Sequence, residues 1–169
     1  MIKNIVLSLA GCAALMSGVA QAASADYLIR IDGIGGTSTV AGFEDYIAVE
    51  SWSLGFTPGA CQNLHFVKQM DAASAPLTGA TILGTFYPTI ILVARKTGGD
   101  GNAFTYMKLT LTSSIFTSFQ TGGSNGSSIL PMEQISLQPS TVKFEAFEQD
   151  GLGHIALVAT NNITCQKVK

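Results

Sequence analysis

The sequence predicts an all-β domain, either a barrel or a sandwich of packed sheets, with one short helix. About eight apolar stretches are separated by turns rich in Gly, Ser and Asn, which is the pattern of an all-β fold. Only one segment carries the signals that begin and end a helix. Charged residues make up 12% of the 169 residues, about half the usual share of roughly 25%, which disfavours a coiled coil or a helical bundle. With 47% hydrophobic residues, the chain is too apolar to be disordered.

The first part of the chain contains three predicted strands. Apolar and polar residues alternate over residues 27–32, and the glycine-rich residues 33–36 end that strand. After a loop over residues 37–46, a second strand is expected over residues 47–56 and a third over residues 64–70. One face of the second strand would carry Trp52, Leu54 and Phe56.

A single helix is expected over about residues 71–84, flanking the sheets. Ser74 is the predicted N-cap, Pro76 lies in the first turn, and Gly84 follows the last apolar residue. Gly79 lowers the helix propensity. The apolar side of this helix would consist of Leu77, Ala80, Ile82 and Leu83.

The remaining strands follow in the second half of the chain. Residues 89–94 are apolar on both faces, which favours either a central strand or a strand whose outer face meets another subunit. A hairpin turn at residues 98–101 precedes one long strand, or a bent pair, over residues 104–119. Further strands are expected over residues 129–137, 141–147 and 154–159, after a loop over 122–128 and around a turn at 149–153. The expected core residues are Trp52, Phe66, Leu109, Leu111 and Phe144.

The N-terminus has the three parts of a secretory signal peptide. Lys3 supplies the positive charge, residues 5–20 are apolar, and the small residues around Ala22 and Ala23 form a cleavage site between them. This predicts a signal over residues 1–22 and a single domain over residues 23–169. Two alternatives are a membrane anchor and a lipoprotein, in which Cys12 would carry the lipid.

Two of the three cysteines would remain after cleavage. Cys61 and Cys165 in an exported chain are expected to form a disulfide bond, because the compartment is oxidising. It would close a loop of about 105 residues, worth on the order of 4–5 kcal/mol in the chain-entropy model. Two free thiols or an intermolecular bridge are the alternatives.

No motif in the chain indicates catalysis, a cofactor or a metal. A zinc site needs more ligands than His65 and His154 supply, and there is no Gly-x-Ser-x-Gly elbow. The glycines within residues 33–36 are not spaced as they are in a phosphate-binding loop. The loss of Lys3 would take the net charge from −2 to −3, so a nucleic-acid partner is not expected, nor is a membrane after cleavage.

The order of several short motifs resembles the haemolysin-coregulated protein (Hcp) family of type VI secretion. The resemblance runs from about Asp26 to Gly153. It rests on an opening strand that ends in glycine, a second strand that bears Trp52, and a third strand followed by the helix with Pro76. The other matching segments are residues 93–99, 106–111, 118–124 and 133–137.

This resemblance implies a β-barrel of two packed sheets with one helix on its flank. It also implies hexameric rings that stack into the inner tube of a contractile secretion machine, secretion of that tube, and effectors carried in the ring lumen. Residues 89–94 would suit ring closure through strand edges. The family implies other type VI secretion components as partners and implies no enzyme activity.

The signal peptide departs from the family pattern, because the usual member is loaded from the cytoplasm. We therefore expect a secreted or periplasmic protein that self-associates. The alternative function is a monomeric periplasmic binding module outside the secretion tube. A small hydrolase is a third interpretation, with only scattered Ser, His and acidic residues in its favour.

Overall fold

The computed structural model describes residues 25–126 and 128–165. The predicted signal peptide, the cleavage site between Ala22 and Ala23, and Cys12 lie outside the described residues. Within the described part, the chain forms eleven strands and one helix. They are β1 (Asp26–Ile31), β2 (Ile47–Val49), β3 (Ser51–Ser53), β4 (Phe56–Thr57), β5 (Ala60–Cys61), β6 (Leu64–Gln69), α1 (Ser74–Leu83), β7 (Phe86–Thr97), β8 (Ala103–Gly122), β9 (Met132–Gln138), β10 (Thr141–Gln149) and β11 (Ile155–Thr164).

The main sheet closes into a barrel through one corner residue. Its strand order is β2-β1-β7-β8-β9-β6-β3, so β2 and β3 stand at opposite ends of this path. Only Glu50 separates β2 from β3 in the chain, and its N–H donates to the Val67 carbonyl of β6 at 2.8 Å. The chain itself therefore joins the two ends of the path, and closure of a sheet removes its exposed edges. A separate two-stranded sheet consists of β4 and β5.

Strand β8 belongs to two layers because it bends in the middle. Residues 107–112 pair with β10, whereas residues 115–122 pair with β9. Ser113 lies between these stretches with φ 52°, and its carbonyl accepts a hydrogen bond from the Ser140 hydroxyl at 2.9 Å. The predicted long strand that bends is thus a single element. The predicted barrel of two packed sheets with a flanking helix is confirmed.

The predicted second strand over residues 47–56 is wrong as a single element. It is divided among β2, β3 and β4, because the corner at Glu50 redirects the chain from β1 to β6. Phe56 is consequently exposed rather than on an inward face. The final strand is longer than the predicted residues 154–159, since pairing with β10 extends it to Thr164.

Helix α1 lies inside the predicted range but differs at its beginning. Ala73 occupies the N-cap, and Ser74 is already helical. The Ser74 hydroxyl accepts from the Asp71 N–H and contacts two charged side chains. Gly84 ends the helix in the left-handed conformation, which glycine adopts without steric cost. Leu77 and Ala80 are buried, whereas Ile82 and Leu83 of the predicted apolar side are exposed.

A buried ion-pair network, defined by Lys68, Asp71, Ser74 and Glu133, fixes the beginning of α1 on the barrel. Lys68 and Glu133 are direct partners across β6 and β9, and both are 0% exposed. The Lys68 ammonium lies 2.6 Å from the Asp71 carboxylate and 2.7 Å from the Glu133 carboxylate. The Ser74 hydroxyl donates to Glu133 at 2.9 Å, so the helix and two strands share one network.

Three of the five expected core residues lie at the centre of the barrel and two lie at its border. Phe66, Leu109 and Leu111 are 1% exposed or less. Trp52 is only half-buried, because β3 is a three-residue strand, and it packs edge-to-face on Tyr27 at 6.2 Å. Phe144 is also half-buried, since β10 extends beyond the closed path of strands.

Candidate assembly surface

Strand β11 presents a free edge of the main sheet. It pairs with β10 alone, and within the described residues its other edge has no partner strand. Three aliphatic side chains on β11, those of Ile155, Leu157 and Val158, are 50–52% exposed. An exposed edge that carries apolar side chains is a template for pairing with another chain, so proteins either cover such an edge or use it.

The end of β11 is attached to the rest of the fold by a disulfide bond and a backbone hydrogen bond. Cys165 follows β11 directly and bonds to Cys61 of β5, with a Cα–Cα distance of 4.9 Å. The Cys165 N–H donates to the Ser140 carbonyl at 2.8 Å. These contacts hold the exposed strand in place at its C-terminal end.

Two turns order the other end of β11. Asp150 accepts the His154 N–H at 2.9 Å and its ring Nδ1–H at 3.0 Å. These hydrogen bonds, the backbone one first, hold the pKa of the Asp150 carboxyl below its ordinary value. Hydrogen bonds from Asn102, and then from Gln149, likewise lower the pKa of Asp100 in the neighbouring turn.

A second exposed apolar patch lies where α1 leads into β7. Leu83 at the helix end is 80% exposed, and Phe86 at the strand start is 59% exposed. Phe86 is the cross-strand partner of Ile115, which is 37% exposed. Contiguous apolar side chains of this kind, unlike single ones, indicate a contact surface.

The predicted strand over residues 89–94 is central and does not offer an edge for ring closure. It lies within β7, whose edges are paired with β1 and β8. Ile90, Leu92 and Ala94 are fully buried on the core side, and Val93 on the other face is only 4% exposed. The available edge is that of β11, which sequence reasoning missed because residues 160–164 are mostly polar.

The residues that could support catalysis do not form a recognised constellation. The His65 Nδ1 and the Ser136 hydroxyl are 2.7 Å apart, but no carboxylate in the described residues contacts that ring to orient it. Cys61 is bonded to Cys165, and a bonded cysteine is not a nucleophile. His154 pairs with Asp150 in an exposed turn. Among the described residues, no group of three or more His, Cys, Asp or Glu side chains could hold a metal ion.

Comparison with known proteins assigns the family. A family model described as "Type VI secretion system effector, Hcp" matches residues 28–145, from β1 to within β10. The chain belongs to the Hcp family. The resemblance to this family found in the sequence is therefore confirmed. No helix in the described part of this Hcp chain is long and apolar enough to cross a membrane.

Solved Hcp structures share the fold over most of this chain. Hcp1 from Salmonella typhimurium is 32% identical with a TM-score of 0.72, and covers 83% of this chain and 94% of its own. Hcp2 from the same organism is 30% identical with a TM-score of 0.68, and the coverage is 85% and 98%. Protein hcp1 of Pseudomonas aeruginosa is 34% identical over 84 residues, which are 50% of this chain. That match spans about half the length of the Pseudomonas protein, 51%.

Proposed function

We propose that this protein is an exported, non-enzymatic Hcp protomer that self-assembles into hexameric rings through the edge of β11. The observation that carries the proposal is the free, half-exposed aliphatic edge of β11 in an otherwise closed barrel. A ring supplies the β11 edge of every protomer with a neighbour. Membership of a family of structural tube proteins supports the same function.

Export is the part of the proposal that sets this protein apart from the usual family pattern. A signal peptide over residues 1–22 would be cleaved between Ala22 and Ala23, which releases residues 23–169 as one domain into the periplasm or the medium. The Cys61–Cys165 bond suits such an oxidising compartment. The partners would be further copies of the chain, other type VI secretion components and effectors held in the ring lumen.

The test is the solution mass of residues 23–169, measured by light scattering after gel filtration, with and without reductant. We expect a mass six times that of the protomer. Leu157→Lys places a charge on the exposed β11 edge and is expected to reduce the mass to that of one protomer. Leu152→Lys, in the turn before β11, makes the same chemical change at a residue that is 83% exposed and should leave the mass unchanged. A hexamer that survives Leu157→Lys would contradict the role of β11.

The second candidate is a monomeric exported binding module. An open cleft of about 480 Å³ on the outer face of the barrel favours it. This candidate predicts one protomer mass under both redox conditions, so the same measurement separates the two functions.

A further inference from the structure

An open cleft with an aromatic wall lies on the outer face of the barrel. Its floor is formed by Ile91 and Val93 of β7 and by Thr105 of β8. One wall comes from the loop before β2, and the opposite wall comes from the β10–β11 hairpin. The wall side chains are Phe43 and Tyr46 on the loop, and Phe147 and Ile155 on the hairpin. Its volume of about 480 Å³ is within the range of small-molecule sites.

The loop wall has its own supporting contacts. The Phe43 and Tyr46 rings pack edge-to-face with centroids 5.0 Å apart, and the Tyr46 N–H donates to the Phe43 carbonyl at 3.0 Å. Gly36 lies against the Tyr46 backbone so closely that an added Cβ would be 2.0 Å from its carbonyl. The aromatic wall is therefore held in position by the fold.

Arg95 and Lys108 line this cleft, and among the residues that the structure describes neither cation has a close carboxylate partner of its own. Arg95 stacks on the Phe43 ring at 4.6 Å, and within the described residues its guanidinium makes one long hydrogen bond of 3.4 Å, from Nη2 to the Ala103 carbonyl. Within the described part of the chain, Arg95 has no carboxylate partner. Lys108 is 4.0 Å from Glu145, but that carboxylate is held more closely by Lys143, at 2.7 Å.

Acidic side chains near the cleft do not cancel this positive charge. Glu44 and Asp45 belong to the loop wall but are absent from the lining of the cleft. The Glu44 carboxylate instead accepts the Gly42 N–H at 2.9 Å. The single carboxylate of Glu145 is shared between Lys108 and Lys143. Together with Arg95, this makes three positive charges and one negative charge, so the site is net positive. An unpaired guanidinium beside aromatic rings fits a planar acid group on an apolar body.

We propose that this cleft binds a small amphipathic organic anion, with an aromatic or aliphatic ring system and one acidic group. The ring system lies between the loop wall and the hairpin wall, and the acidic group meets the guanidinium of Arg95 with Lys108 beside it. The cleft and the β11 edge proposed for ring assembly share only Ile155, and Leu157 and Val158 of that edge do not line the cleft.

The test uses two fluorescent probes that differ in one acidic group. They are 8-anilinonaphthalene-1-sulfonate and the uncharged N-phenyl-1-naphthylamine, titrated into residues 23–169 in the assembly state in which the protein is purified. We expect one sulfonate site per chain, with an affinity at least tenfold higher than that of the uncharged probe. Arg95→Met should weaken the sulfonate probe at least tenfold and change the uncharged probe less than twofold.

A matched control separates a specific cation from general charge. Lys96→Met alters the residue next to Arg95, but the Lys96 ammonium lies over Tyr106 at 5.4 Å and the residue does not line the cleft. This variant should bind both probes as the wild type does. If Arg95→Met fails to fold, Lys108→Met replaces it, with an expected loss of threefold or more for the sulfonate probe alone. Equal affinities for the two probes, or a Lys96→Met effect equal to that of Arg95→Met, would overturn the proposal.

Discussion

Replacement of Lys68 by methionine tests the buried ion-pair network that joins α1 to the barrel. Methionine keeps most of the unbranched stem and removes only the ammonium group. The Lys68 ammonium contacts two carboxylates at 2.6 and 2.7 Å, the Gln69 carbonyl at 3.0 Å and the Ser74 hydroxyl at 3.1 Å. All four contacts are lost in Lys68→Met.

The expected cost follows from what remains after the ammonium is removed. The side chain of Glu133 is 1% exposed and that of Asp71 is 18% exposed, so both carboxylates stay in a largely dry site without their cation. Loss of one partner from a buried pair destabilises a protein by about 3–5 kcal/mol. Because solvent partly screens the more exposed carboxylate, that of Asp71, we expect a destabilisation near the middle of that range. For a domain of this size, such a loss lowers the melting temperature by roughly 8–15 °C.

The assay is urea unfolding of the oxidised protein, followed by far-ultraviolet circular dichroism at one fixed protein concentration. Lys143→Met is the matched control. Lys143 also forms an ion pair at 2.7 Å, with Glu145, but its side chain is 45% exposed. Surface pairs contribute about 0–1 kcal/mol, so this variant should unfold close to the wild type.

The comparison of the two lysine variants can refute the reasoning. A Lys68→Met protein that loses less than about 1 kcal/mol, or no more than Lys143→Met, would show that burial of the network does not determine its contribution.

Three further predictions concern a glycine, the disulfide bond and pH. Gly36→Ala should destabilise by about 1–3 kcal/mol because its Cβ would lie 2.0 Å from loop backbone, whereas Gly35→Ala meets nothing within 4 Å and should unfold with the wild type in the same urea series. Cys165→Ser should lower the free energy of unfolding by about 2–5 kcal/mol and increase amide exchange along β11, and unchanged exchange would contradict the role of the bond. Because the pKa of Asp150 is lowered in the folded state, its stabilising hydrogen bonds are fully present above the ordinary value of 3.8 and are lost only as pH falls through the lower folded value. An NMR titration of the Asp150 side-chain carboxyl carbon should therefore have its midpoint below 3.8, and a midpoint at or above 3.8 would contradict this.

The sequence predicted the elements whose signals are local. The apolar run at residues 89–94 indicated a strand covered on both faces, and β7 is such a strand. Gly84 indicated the end of the helix, and it caps α1 in the left-handed conformation. The beginning of the helix was harder to predict, because the Ser74 hydroxyl is engaged by groups that include Glu133, far along the chain.

The features that were missed depend on partners distant in sequence. Nothing near Glu50 marks it as the corner that closes the barrel, because its function is defined by Val67 on another strand. The polar end of β11 becomes a strand through its pairing with β10. The sequence does contain a signal for the buried ion-pair network. Lys68 lies in phase with Leu64 and Phe66 on the inward face of β6, so the pattern itself predicts a buried charge that needs a partner.

Electron microscopy of residues 23–169, purified from the periplasmic fraction after expression with the natural N-terminus, tests the central claim most directly. The proposal predicts rings with sixfold symmetry in averaged images of the wild type and of Leu152→Lys, and single protomers for Leu157→Lys. Wild-type protein that is fully processed, disulfide-bonded and visible only as single protomers would contradict it.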